Sequence, residues 1–97
     1  MYSSTFKKYD LINIVKNTRG RHTLPKAEKG KNYLVISSYT NNMGTTKYIV
    51  IDQGGQQHFT TEKSAKKITD FDLSENEGWQ EAKRSWMDET YVPVFGV

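Results

Sequence analysis

Residues 32–60 read NYLVISSYTNNMGTTKYIVIDQGGQQHFT, and this stretch decides the fold. Residues 32–39 are rich in β-branched and aromatic side chains, the composition that suits a pleated, partly buried strand. Residues 40–45 (TNNMGT) form a turn cluster whose Asn and Gly accept positive φ at low cost. A strand over 46–52 (TKYIVID) follows, then Gln53-Gly54-Gly55 as a tight hairpin turn and a strand over 56–60 that Phe59 anchors in the core. Three consecutive short strands joined by two turns describe an antiparallel meander.

Working outward, residues 9–15 (YDLINIV) are apolar with partial alternation and read as a first strand. Between it and the meander lies KNTRGRHTLPKAEKGK, residues 16–31. Sixteen residues without an element is long for a small domain, and such loops tend to be functional or mobile. After the meander, Thr61 is placed to cap one helical turn over 61–65. Residues 67–72 (KITDFD) read as a fifth strand.

The period then changes. Ser74-Glu75-Asn76-Glu77 has the form of a capping box, with Ser74 as cap and Glu77 reaching back. Trp79, Ala82 and Trp86 follow at spacings of three and four and share one helix face. The helix fades near Thr90, because Val92 precedes Pro93 and is pushed away from the helical region. Residues 91–97 (YVPVFGV) read as an apolar extended tail, either packed or added as an edge strand. The expected class is mostly β, formally α+β: a five-stranded barrel over 1–73, with the helix and tail of 74–97 in the same domain. The two Trp are expected to pack the helix over one open end of the barrel.

This order of elements resembles the SH3-like small β-barrel, including the KOW-type barrels of ribosomal and transcription proteins. The likeness spans residues 9–72. It rests on Arg19-Gly20-Arg21, Pro25-Lys26 and Lys29-Gly30-Lys31 in the loop, then Tyr33-Leu34-Val35-Ile36, the 49–55 hairpin and His58-Phe59-Thr60. The near-first-strand Gly-Asp pair of KOW modules and the Ala-Leu-Tyr run of peptide-binding SH3 domains are both missing. The short length and appended helix are also similar to those of small phage-encoded proteins.

Ninety-seven residues fit one domain with a modest core. The chain has no cysteine, which rules out disulfides and thiolate metal sites. A reducing, cytoplasmic setting is the simplest expectation. No stretch approaches the roughly 18 apolar residues of a membrane span. Net charge is +3 but unevenly spread: residues 1–31 carry eight Lys/Arg against two acids, residues 70–97 two against seven. A positive face and an acidic end are the implied pattern.

Two binding readings follow. In the first, Lys16, Arg19, Arg21, Lys26, Lys29 and Lys31 of the loop contact phosphates of a nucleic acid or ribonucleoprotein, with Tyr33 and Tyr39 as stacking faces. Lys47, Lys63, Lys66 and Lys67 add to the positive field. In the second, Trp79, Trp86, Tyr91 and Phe95 form an aromatic surface for a protein partner, as in a phage-type regulator of a host complex. The bland alternatives are a solvated loop and a helix that merely completes the core. His22 and His58 lack companions for a zinc site, and His58, one residue from Phe59, is expected to point outward. Asp70, Asp72, Glu75 and Glu77 lack the calcium-loop pattern and suit a helix start. With no nucleophile elbow, phosphate-binding glycine loop or dinucleotide fingerprint, neither catalysis nor a cofactor is expected. The oligomeric state is left open.

Overall fold

The computed structural model describes residues 6–90. Five strands form one antiparallel sheet: β1 (Leu11–Ile14), β2 (Asn32–Thr40), β3 (Thr46–Ile51), β4 (Gln57–Thr61) and β5 (Ala65–Lys67). Their order across the sheet is β4-β3-β2-β1-β5. A single 3₁₀ turn, Glu62–Ser64, joins β4 at one edge to β5 at the other. The helix α1 (Glu77–Thr90) follows a second 3₁₀ turn at Leu73–Glu75. The mostly-β, α+β class read from the sequence is the observed one.

The connection between the edge strands dictates the shape. Five strands laid flat place their outer members roughly 19 Å apart, at about 4.8 Å per neighbour. Three residues of 3₁₀ helix advance only about 6 Å. The sheet must therefore curl until its edges nearly meet, giving a barrel-like form with an inside and an outside. Val15 and Lys16 N–H groups both donate to the Ser64 carbonyl, pinning this turn to the end of β1.

Strand alternation sorts side chains between the two faces. Inside lie Ile12, Ile14, Tyr33, Val35, Tyr48, Val50 and Ala65, with Phe6 and Ala27 closing the cluster. Outside, Leu11, Leu34, Ile36 and Ile51 pack against Trp79 and Ala82 of the helix, with Ile49 and Trp86 at the margin. All four residues of Tyr33-Leu34-Val35-Ile36 are buried, because β2 is covered on both faces. The helix thus covers the outer face of the sheet, and not an open end of the barrel as the sequence suggested. Trp79, Ala82 and Trp86 do share the packed face. Truncating a buried indole such as Trp79 costs about 3–5 kcal/mol.

Three local readings need correction. The fifth strand is Ala65–Lys67 and not residues 67–72. Ala65 lies opposite Ile14 and points into the core, and Ile68 N–H donates to Leu11 O. The chain then turns at Asp70 (φ 64°), and Ile68 and Phe71 join the outer cluster. The helix starts at Glu77 with Asn76 as its cap: Asn76 Oδ1 accepts from Trp79 N–H at 3.1 Å. Ser74 instead donates to Asp72 Oδ1 through both its N–H and hydroxyl. Thr61 precedes its 3₁₀ turn without a capping bond to the backbone, and its hydroxyl meets Ser64 Oγ at 3.1 Å. The tail, 91–97, lies outside the described residues.

The β3–β4 turn and the helix meet at Gly55. This residue is buried at φ 84°, and a Cβ there would stand 2.8 Å from both Ser85 Cβ and Trp86 N. Gly44, in the β2–β3 turn, has φ 82° but nothing within 4 Å. Gly44→Ala is expected to cost about 1–2 kcal/mol from backbone strain alone. Gly55→Ala adds a backbone clash of roughly 1–3 kcal/mol. Urea denaturation of both variants should show the larger loss at Gly55. Equal losses would show that helix and turn do not touch.

Candidate nucleic-acid interface

The sixteen-residue loop before β2 is built onto the sheet. Phe59 N–H donates to Pro25 O at 3.0 Å, and Ala27 N–H donates to Phe59 O at 2.9 Å. These bonds lay the segment around Lys26 parallel to β4, along the side of that strand away from β3. Thr18, buried, pairs its hydroxyl with that of Thr60 at 2.9 Å and donates to Ala27 O. Tyr33 Oη accepts from Glu28 N–H at 2.8 Å. The expectation of a long segment without structure of its own gives way to a loop held at several points. Its polar backbone finds the partners that an edge strand offers.

Lys16, Arg19, Arg21, Lys26, Lys29 and Lys31 are all exposed. They separate into groups. Gly20 and Arg21 lie beside Lys47 of β3, whose Nζ donates to Arg21 O at 3.0 Å. Lys26 stands on the β4 side. Lys29 and Lys31 precede β2, while Lys47 lies opposite Tyr39 near its far end. Eight strand residues at about 3.3 Å each put Lys31 roughly 25 Å from the Lys47 row. Lys31 Nζ also pairs with Glu28 at 3.0 Å. The hydrogen bond from this ammonium and the carboxylate's charge raise the Lys31 pKa. Lys67 stands 3.7 Å from Asp10 on the β5 side. Charge that is continuous in sequence is therefore divided in space, and the point where the loop meets a strand cation is the Gly20-Arg21 backbone beside Lys47.

Tyr33 does not belong to this surface. Its ring is buried inside the barrel, and burial pushes its hydroxyl pKa up. It offers no face to a base. Tyr39 is exposed. His22, which the sequence places among the loop's basic residues, enters the site through its ring, a role sequence reasoning missed. Its ring stacks on Phe59, centroids 5.2 Å apart and planes at 26°, and its Nδ1 accepts from Leu24 N–H at 3.0 Å. The only sequence clue was its place among the loop cations. Trp79 is buried against the sheet, and Trp86 is partly buried beside it. Tyr91 and Phe95 lie outside the described residues.

His58 turns inward and not outward. It lies opposite Val50, and the face it shares with Val50 is the barrel interior. Phe59 instead occupies the outer face, where the loop covers it. His58 Nε2–H donates to Asp52 Oδ2 at 2.9 Å, and Tyr33 meets the imidazole edge-on at 5.1 Å. The same Asp52 carboxylate accepts from Gly54 and Gln56 N–H, closing the β3–β4 turn. Among the described residues no three His, Asp or Glu side chains are grouped to hold a metal ion, and no helix is long and apolar enough to cross a membrane.

Comparison of the chain with protein-family models, curated proteins and solved structures returned no match.

Asp52 carries a testable pH dependence. Burial raises its pKa, but the hydrogen bonds from His58, Gln56 and Gly54 outweigh burial and leave it below the ordinary 3.8. A carboxylate depressed in the folded state stabilises the fold above its unfolded pKa, and that contribution is lost as pH falls through the folded value. Stability of the wild type should therefore decline as pH falls from about 4. Asp52→Asn should be less stable at neutral pH and should lose part of that decline. Denaturation midpoints at pH 7 and pH 3 check this. An unchanged pH profile in the variant would show that Asp52 is not the group responsible.

Proposed function

We propose that this protein is a non-enzymatic nucleic-acid-binding module built on an SH3-like barrel. The barrel reading is supported by the strand order β4-β3-β2-β1-β5 and by the single 3₁₀ turn before the last strand. The binding reading is carried by one observation: a loop whose backbone is tied to the edge of the sheet while its six cations stay exposed. A loop whose backbone is already ordered loses less freedom on meeting phosphates, and displaced counterions supply affinity. Arginine forks match phosphate oxygens in pairs, which gives Arg19 and Arg21, next to Lys47, the leading role. Lys29 and Lys31 stand apart from them and contribute less. The protein-partner reading has weaker support, because Trp79 is spent on the sheet.

A mobility-shift titration with mixed RNA and DNA fragments tests this. Complexes should form at about 50 mM salt and weaken steeply as salt rises. Arg19→Ala with Arg21→Ala should reduce the slope of log K against log salt by roughly 2. Lys31→Ala should change it less. Absence of any shift at low salt overturns the proposal.

A further inference from the structure

Tyr39 lies opposite Lys47, and Phe59 lies opposite Ile49, two residues along the same strand. Tyr39, Lys47 and Phe59 therefore share the outer face of the sheet. The helix covers that face only around Leu34, Ile36 and Ile51. At the other end, the first loop lays His22 over it. His22 stacks on Phe59, and its other ring neighbour is Tyr39, with centroids 6.1 Å apart. The result is a row of three rings, Phe59, His22 and Tyr39. Phe59 is buried and Tyr39 is 42% exposed. Lys47 Nζ sits 5.7 Å from the Phe59 ring centroid and is bonded to Arg21 O, so positive charge borders the row.

We propose that this row is a stacking platform for single-stranded nucleic acid, with Tyr39 as the ring that receives an unpaired base and Arg19, Arg21 and Lys47 as the neighbours of its phosphates. The inference rests on the nucleic-acid reading above and narrows it to one class of ligand. A base in the interior of a duplex has both faces occupied by its neighbours, so along the length of a strand only an unpaired base can lie on Tyr39. Stacking of this kind tolerates any base and works beside a positively charged groove. An acidic polypeptide matches the charge but brings no planar ring to the aromatic row. Tyr39 stands on the part of β2 where residues 37–40 are all exposed, so an incoming base displaces no packed side chain.

Fluorescence anisotropy decides it, using labelled ten-nucleotide oligouridylate and oligodeoxyuridylate, a duplex of the same length, and polyglutamate as competitor. Both single strands should bind more tightly than the duplex at equal salt. Tyr39→Ala should weaken single-strand binding about ten- to a hundred-fold and leave duplex binding unchanged. Tyr39→Phe, which keeps the ring, should restore it. A preference between the two single strands supports the proposal and identifies the sugar accepted. Equal binding of duplex and single strand with no effect of Tyr39→Ala overturns it. The broader nucleic-acid reading then survives if binding is still lost on changing Arg19 and Arg21 to Ala. Competition by polyglutamate as effective as by the oligonucleotides points to charge alone and also overturns it. If the wild type binds none of the nucleic acids, both readings fall.

Discussion

Three residues, Glu62–Ser64, carry the chain from one edge of the sheet to the other. That brevity forces the sheet to curl, and the rest of the molecule answers to the curl. A closed interior needs a filling, and Ile12, Tyr33, Val35, Tyr48 and Val50 supply it. Such a small interior buries little by itself. The same strands therefore carry apolar residues on the outside as well, and each outer residue needs a cover. Leu34 and Ile51 take theirs from α1, and Phe59 takes its from the first loop. Two unrelated segments of chain thus divide one face between them.

This division positions the candidate site. The helix meets the sheet closely enough at Gly55 that the contact leaves no room for a side chain. The loop meets it through backbone hydrogen bonds to Phe59, the buried Thr18–Thr60 pair, a stacked imidazole and a lysine bonded to a carbonyl. The first contact fixes the fold. The second leaves cations and an aromatic ring exposed at the border. Binding surfaces commonly lie on loops positioned by a rigid scaffold, and here the scaffold includes a strand edge that bonds to the loop backbone.

The meander was legible because its signals are local. The β-branched and aromatic run in KYIVI and turn residues at Asn41, Gly44 and Gly55 need no knowledge of distant chain. The helix face was legible for the same reason. What escaped depends on pairings across long separations. Thr18 and Thr60 are 42 positions apart, and nothing in either marks the hydrogen bond that anchors the loop. Alternation correctly put His58 and Phe59 on opposite faces but did not say which face was inside. Phe59, the more apolar, was assigned to the core, whereas the loop buries it outside. Tyr33 was read as a surface ring because its hydroxyl's partner is a backbone N–H that only the folded loop presents. The fifth strand was displaced because Ala65 carries too small a side chain to announce a core position. The capping box was misread because Asp72 and Asn76 each compete as caps within one short stretch.

The position of α1 in the chain has a consequence for synthesis. Every residue it covers on the outer face of β1 to β3 precedes it, and Trp79 follows Ile51 by 28 positions. At about 5–20 residues per second, seconds pass between the appearance of that apolar face and of its cover. Strand hairpins form in about microseconds, so the meander has ample time to assemble first. The nascent domain therefore presents Leu34, Ile36 and Ile51 to water, or to whatever apolar surface lies near, throughout that interval. Its greatest exposure to aggregation and to chaperone capture falls during translation, before the last quarter of the chain arrives.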